Sequence, residues 1–314
     1  MNLSHAYGAP PPPDVAERLL LSALDRGVTM FDTAALYGFG ANETLIGRVL
    51  GKHRTKFTLA SKGGMAGEPF DDGMKRVING RPEAIRRNCE DSLKRLQTEH
   101  IDLYYLHRWD RRVPIEDSVG AMSRLLEEGK VRALGVSEVS AATLRRAHAV
   151  HPIVAVQSEY SLWSRNVEIG VLAACREIGA SLVAFSPVAR GYLTGTLRDV
   201  SGFDAKDIRR GMPRFEPARY AANLALLDGF GQIAREVGCT CAQLALAWLL
   251  ARGERVIAIP GTTKLAHLEE NLGAARVVLG ADIVARLDGL INQHTVNGPR
   301  YNAATQAEID TEEF

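Results

Sequence analysis

Residues 28–38 read VTMFDTAALYG. A β-branched and apolar run from Val28 to Phe31 stops abruptly on Asp32, and Tyr37 follows five residues later among small residues. Aspartate is disfavoured inside strands, so either the strand simply ends in a turn or the acid is held there for a purpose. Repetition of the pattern decides between them. Short apolar runs recur at Thr29–Phe31, Phe57–Ala60, Ile101–Leu106, Val131–Val136, Ile153–Val156, Leu182–Phe185 and Val256–Ile259. Each leads into polar residues: Asp32, Lys62, His107, Ser137 with Glu138, Gln157, Ser186, and Gly261-Thr262.

Helix-period segments lie between these runs. Asp14 is placed to cap the first, which closes at Arg26-Gly27. Asn42 begins the second with Glu43 in its first turn, and Pro82 opens a third whose Ile85, Cys89, Leu93 and Leu96 share one face. Glu116 to Glu128 supply a fourth ended by Gly129, Ser140 caps a fifth, and Asn166 or Val167 starts a sixth. Thr240 starts CAQLALAWLLARG. Strands and helices alternating at this spacing predict a parallel sheet. An open doubly wound sheet would want a GxGxxG after an early strand, and none is present. A ring of polar residues past the carboxyl ends of successive strands is instead the top face of a barrel. The predicted fold class is α/β, a (β/α)8 barrel forming one domain over residues 1–314. A long loop at about 189–220, with no clear element until Ala221, and a tail at 292–314 complete it. Seven of the eight strands are visible.

The 314 residues carry a net charge of +1 with both signs interspersed, which leaves no footprint for nucleic acid or an anionic membrane surface. No apolar run reaches the ~18 residues of a spanning helix, and MNLSHAYGAPPPPD lacks the features of a signal peptide. The four cysteines, Cys89, Cys175, Cys239 and Cys241, form no CxxC pair and suggest no metal site. The expectation is a reduced, soluble, cytoplasmic protein.

Four strand-end residues fit together chemically. Asp32 and Tyr37 follow one strand, Lys62 in FTLASKGG the next, and His107 in IDLYYLHRWD the one after. A tyrosine is a poor proton donor near neutrality, with a reference pKa of ~10. A buried ammonium beside it would favour the phenolate, and a shift of ~3 units would take about 4 kcal/mol of differential interaction. Asp32 is the natural holder of such a lysine. Ser137, His107 and Asp32 also suggest a hydrolase triad, but GVSEV lacks the second glycine of GxSxG.

At this point the chain resembles the aldo-keto reductases. The matching segments are FDTAALYG…NETLIG (31–47), LASKGG (59–64), RRNCEDSLKRLQTEHIDLYYLHRWD (86–110) and GKVRALGVSEVS (129–140). VQSEYSLWSR (156–165), FSPVARGYLTG (185–195) and IPGTTKLAHLEENLGA (259–274) continue them in order. The resemblance implies reduction of aldehydes and ketones by hydride transfer from NADPH, with NADH weaker. Tyr37 would be the general acid, assisted by Lys62, Asp32 and His107. Ser137 and Gln157 match holders of the nicotinamide carboxamide, and Tyr160 a residue near the ring. Ser186, Pro187, Gly191 and Leu193 match the loop around the pyrophosphate. Gly261, Thr262, Lys264, His267, Glu270 and Asn271 match positions around the adenosine and its 2′-phosphate. Tyr7, Arg108, Trp109 and Trp163 are candidates for the substrate pocket, while Trp248 reads as core. The chain departs from many relatives at Glu138, where they carry asparagine, and at His267, where they carry arginine. It also begins about where their first barrel strand ends, so that strand is expected to be the missing eighth. A second reading resembles the β subunits of potassium channels, relatives that bind NADPH chiefly as regulators.

Overall fold

The computed structural model describes all residues, 1–314. The chain runs α1 (Pro13–Asp25), β1 (Met30–Asp32), α2 (Ala41–Leu50), β2 (Thr58–Gly63), β3 (Met65–Phe70), β4 (Gly73–Ile78), α3 (Pro82–Leu96) and β5 (Leu103–Leu106). It continues with α4 (Ile115–Glu127), β6 (Leu134–Ser137), α5 (Ala141–Val150), β7 (Ile153–Glu159), α6 (Val171–Ile178) and β8 (Ser181–Phe185). The last part is α7 (Pro217–Val237), α8 (Cys241–Leu250), β9 (Val256–Ala258), α9 (Leu265–Gly273), α10 (Ala281–Leu290) and α11 (Ala303–Gln306). Seven strands form one parallel sheet in the order β1-β2-β5-β6-β7-β8-β9, curled with helices outside. β1 pairs only with β2 and β9 only with β8, so the curl is open between those two edges.

Strand side chains alternate between faces, and that period builds the site. Ala60, Leu103, Tyr105, Ala155 and Val183 pack together inside the curl, with Met30, Ala133 and Ile259 against them. Two residues further along the same faces come Asp32 after Met30, Lys62 after Ala60, His107 after Tyr105 and Gln157 after Ala155. The polar ring therefore stands on the inner apolar cluster, at the carboxyl ends of the strands. The larger core lies between sheet and helices and includes Leu59, Ile85, Cys89, Tyr104, Met122 and Trp248.

Several local expectations need correction. The first helix starts at Pro13, so Asp14 sits in its first turn and does not cap it. Gly40 precedes the second helix, and Asn42 instead exchanges hydrogen bonds with Thr33 and Ser4. The sixth segment is a 3-10 turn at Asn166–Glu168, with the helix proper only from Val171. The span read as a loop at 189–220 holds 3-10 turns at Ala189–Thr194, Ile208–Gly211 and Pro213–Phe215. Its helix begins at Pro217, where proline suits the first helical position. The hairpin β3–β4 was not anticipated, although its strands meet at a two-residue turn, Asp71-Asp72, before Gly73 at φ +116°. Ser140 and Thr240 cap their helices through their side chains, and Thr240 forms a capping box with Gln243.

No single helix is long and apolar enough to cross a membrane. The apolar run in α8 is explained by its burial, since Ala242 and Leu244 to Leu249 are all enclosed. The tail returns over the strand ends. Arg300 pairs with Glu138, Glu308 with Arg76 of β4, and Asp310 accepts from the Ser140 amide at 3.2 Å and the Thr143 hydroxyl at 2.6 Å.

Gly135 is the tightest point of the inner layer. A Cβ there would run into the Tyr105 ring and come within 3.0 Å of the Ala155 carbonyl oxygen. Gly135→Ala is expected to cost about 1–3 kcal/mol by overpacking, read as a lower urea midpoint. An unchanged midpoint would show that the layer can yield.

Candidate active site

Lys62 is fully buried at the end of β2, and its ammonium has three partners. It donates to Asp32 Oδ1, to the Thr33 carbonyl at 2.7 Å and to the Tyr37 hydroxyl at 3.4 Å. The second Asp32 oxygen accepts from Gln157 Nε2 at 2.7 Å, which ties β1 to β7 across the mouth of the curl. The Tyr37 ring meets His107 edge-on at 5.8 Å between centroids and His5 at 5.6 Å. The four residues expected to act together are therefore brought together from neighbouring strands. The hydrolase constellation is not assembled: Asp32 is engaged by Lys62 and Gln157, and Ser137 Oγ accepts from Arg108 at 3.2 Å.

The protonation states follow from burial and charge. Burial pushes the Lys62 ammonium down, but Asp32 and Tyr37 together outweigh it and hold the lysine above its ordinary value. Burial also raises the Tyr37 phenol, and the Lys62 ammonium offsets only part of that rise. The expected net depression of the phenol is thus not what the site does; burial of the ring exceeds the pull of the charge. His107 is held well below its usual range by burial first, then by Arg108, Lys62, Arg76 and His5. The imidazole is neutral at physiological pH, with Nδ1 buried and unpartnered.

A cavity of about 1580 Å³ opens above this group and extends along both free strand edges. Asp32, Tyr37, His107, Arg108, Ser137 and Gln157 line one part of it. Ser186, Pro187 and Gly191 line the middle, and Gly261, Thr262, Lys264, His267, Glu270 and Asn271 the far part. Tyr7 also faces it, with the Arg209 guanidinium 5.1 Å from its ring. Four expected residues lie elsewhere. Tyr160 is buried against Trp248 and donates to Glu168 at 2.7 Å, and Leu193 is wholly enclosed in the outer core. Trp109 turns its indole nitrogen to the Val113 carbonyl at 2.9 Å, and Trp163 stacks on Tyr192 at 4.1 Å. Each found a better-packed partner than the cavity offers. Trp248 is core, as expected.

Arg76, Arg190 and Arg209 line the cavity too, and sequence reasoning did not single them out. Arg190 sits in a run of left-handed residues, Ala189 (φ +50°), Arg190 (+56°) and Gly191 (+99°), within the 186–191 loop. Non-glycine residues in that region mark stored backbone strain, which concentrates at functional sites.

A family model for the aldo/keto reductase family matches residues 1–292. The chain belongs to the aldo/keto reductase family. A probable aldo-keto reductase of Glycine max is 42% identical over 302 residues, covering 96% of this chain and 86% of that protein. Among solved structures, the glycerol dehydrogenase of Gluconobacter oxydans is similar with a TM-score of 0.83 at 30% identity, covering 96% of this chain and 93% of that one. An aldo/keto reductase of Klebsiella pneumoniae in complex with NADP and acetate is similar with a TM-score of 0.69 at 29% identity, covering 96% and 90%. The open parallel curl is consistent with the barrel of this family.

The neutral His107 makes a stability test. Below pH ~6.5 the unfolded chain takes up a proton at this histidine that the native site refuses, so stability falls with falling pH. The contribution reaches up to about 1.4 kcal/mol per pH unit. In urea titrations between pH 6.5 and 5, His107→Gln is expected to lose stability less steeply than the parent. Parallel curves would mean that His107 is charged in the fold.

Proposed function

We propose that this protein interconverts carbonyls and alcohols, reducing aldehydes or ketones with NADPH. The observation that carries the reading is the buried Lys62 ammonium, fixed by Asp32 and 3.4 Å from the Tyr37 hydroxyl, with His107 at the edge of the same ring. The seven strands are read as seven of the eight positions of a (β/α)8 barrel, with the open position between β1 and β9.

The donor set fits the cofactor. Gln157 gives its nitrogen to Asp32 and so keeps its amide oxygen as an acceptor, while Ser137 Oγ accepts from Arg108 and keeps its proton to donate. One acceptor and one donor side by side match a carboxamide. The left-handed backbone at Ser186 and at Ala189 to Gly191 suits close approach to a pyrophosphate. Lys264 precedes α9, whose first-turn amides have no intrahelical partners, so charge and dipole both favour a phosphate there. His267, on the same helix, lines the cavity beside them. Solved relatives from Klebsiella pneumoniae are complexes with NADP and NADPH, which supports the same choice.

NADPH would supply the hydride to the carbonyl carbon. Tyr37 holds a proton at its hydroxyl, as any phenol does at neutral pH and as burial reinforces, and delivers it to the carbonyl oxygen. Lys62 stabilises the phenolate left behind, and Asp32 keeps Lys62 charged and in place. His107, neutral and edge-on to Tyr37, orients the same oxygen by hydrogen bond without competing as an acid.

Tyr37→Phe should keep NADPH affinity while carbonyl reduction falls roughly 10²–10⁴-fold, the range of a lost general acid. Reduction of an aldehyde panel at the parent rate would remove Tyr37 from that role. Lys264→Met should weaken NADPH by roughly 10- to 100-fold, as for a lost charge-assisted bond, while NADH changes little. Equal losses for both cofactors in fluorescence titrations would rule out the phosphate contact.

A further inference from the structure

Four arginines line the cavity, and three are paired with carboxylates. Arg76 pairs with Glu308, Arg190 with Glu159 at 2.7 Å and Arg209 with Asp207 at 2.6 Å. Arg108 is the exception. Its Nη1 donates to the His107 carbonyl at 2.7 Å and to Ser137 Oγ at 3.2 Å, both neutral acceptors. Nε and Nη2, which form the side-on fork of a guanidinium, have no acceptor in the protein, and the residue faces the cavity beside His107. The one carboxylate of the tetrad, Asp32, has each of its oxygens engaged, by Lys62 and by Gln157, and makes no bond to Arg108.

We infer that Arg108 is a specificity residue, whose free fork receives the carboxylate of a substrate carrying its carbonyl and an acid group in one small molecule. The inference rests on the reduction chemistry proposed above and narrows its substrate class. Geometry places the guanidinium with the tetrad, on the residue after His107, whereas the phosphate-suited backbone lies at the ends of β8 and β9. A planar fork with two free donors matches the two oxygens of a carboxylate. Nη1 is anchored at two points, so the fork is already oriented and little freedom is lost on binding. Electrostatics agree. Of the cations around His107, Lys62 and Arg76 are paired with Asp32 and Glu308 and Arg108 has no carboxylate bonded to it, and the burial that lowers its guanidinium is a cost that an anion would relieve.

The test compares 4-formylbenzoate with its neutral twin, methyl 4-formylbenzoate, which carries the same aldehyde. The parent protein with NADPH should favour the acid by about 10-fold or more in kcat/KM, and Arg108→Gln should erase that preference through KM, a change of roughly 10- to 100-fold for a lost charge-assisted pair. Arg108→Lys should restore part of it. Because both aldehydes share one cofactor site, any loss transmitted through Ser137 cancels in the ratio. Equal efficiency for acid and ester in the parent, or an equal fall for both in Arg108→Gln, would overturn the inference and leave Arg108 as a support for Ser137. If the parent reduces neither aldehyde, the reduction chemistry is what fails, and calorimetry on the NADP+-saturated protein then decides the binding claim. Tighter binding of the acid than the ester, lost in Arg108→Gln, would sustain it; equal or absent binding would overturn it.

Discussion

The site depends on one ion pair, Lys62 with Asp32, set in the floor of the cavity with the ammonium cut off from water. The lysine is wholly enclosed and its partner nearly so. Removing an ammonium from water costs several kcal/mol unless an opposite charge and further hydrogen bonds replace the solvent. Asp32 supplies the charge, and the Thr33 carbonyl one further acceptor. Asp32 is in turn held from the far side by Gln157. A change at any of these residues leaves a charge or a polar group unmet, so the arrangement behaves as a unit.

The same ion pair sets the protonation of its neighbours without dominating them. Burial acts on every group at the strand ends, and it always disfavours the charged form. For Lys62 burial is outweighed only by the carboxylate and the phenol together; for Tyr37 the ammonium does not outweigh it; for His107 the nearby cations reinforce it. The result is an ammonium, a protonated phenol and a neutral imidazole around one point. A carbonyl oxygen placed there would meet donors on several sides while a proton remains available to it. Such preorganised donors are worth more in an enclosed site than in water. Arg108 lies at the margin of this cluster and adds a charge that no carboxylate of the protein hydrogen-bonds.

Much of this was legible in the residues because period-2 strands leave a simple trace. Asp32, Lys62, His107 and Gln157 each continue an inward-facing strand position beyond its apolar part, so reading strand ends located them. The hairpin at 65–78 leaves little trace in the sequence because its strands are hardly buried, partly charged and follow directly on β2. Trp109 and Trp163 follow strands as pocket residues do, yet an indole takes the nearest surface it can cover: Arg146 and the Val113 carbonyl for one, Tyr192 and Phe215 for the other. Tyr160 likewise packs on Trp248 and donates to Glu168. The Arg300–Glu138 pair links residues far apart in the chain, and neither carries a local signal of burial. What resemblance contributed was the order of segments and the cofactor, which strand periodicity alone does not specify.

The most direct measurement is the titration of Tyr37 itself. With tyrosines labelled at Cζ, carbon NMR follows each of the eight phenols, and the resonance lost in Tyr37→Phe identifies the one of interest. Burial exceeding the pull of Lys62 predicts that this resonance stays protonated past pH ~10, the ordinary phenol value, and that Lys62→Met moves its midpoint higher still. A midpoint below pH ~9, or one indifferent to the loss of Lys62, would contradict a buried phenol held in check by an ammonium.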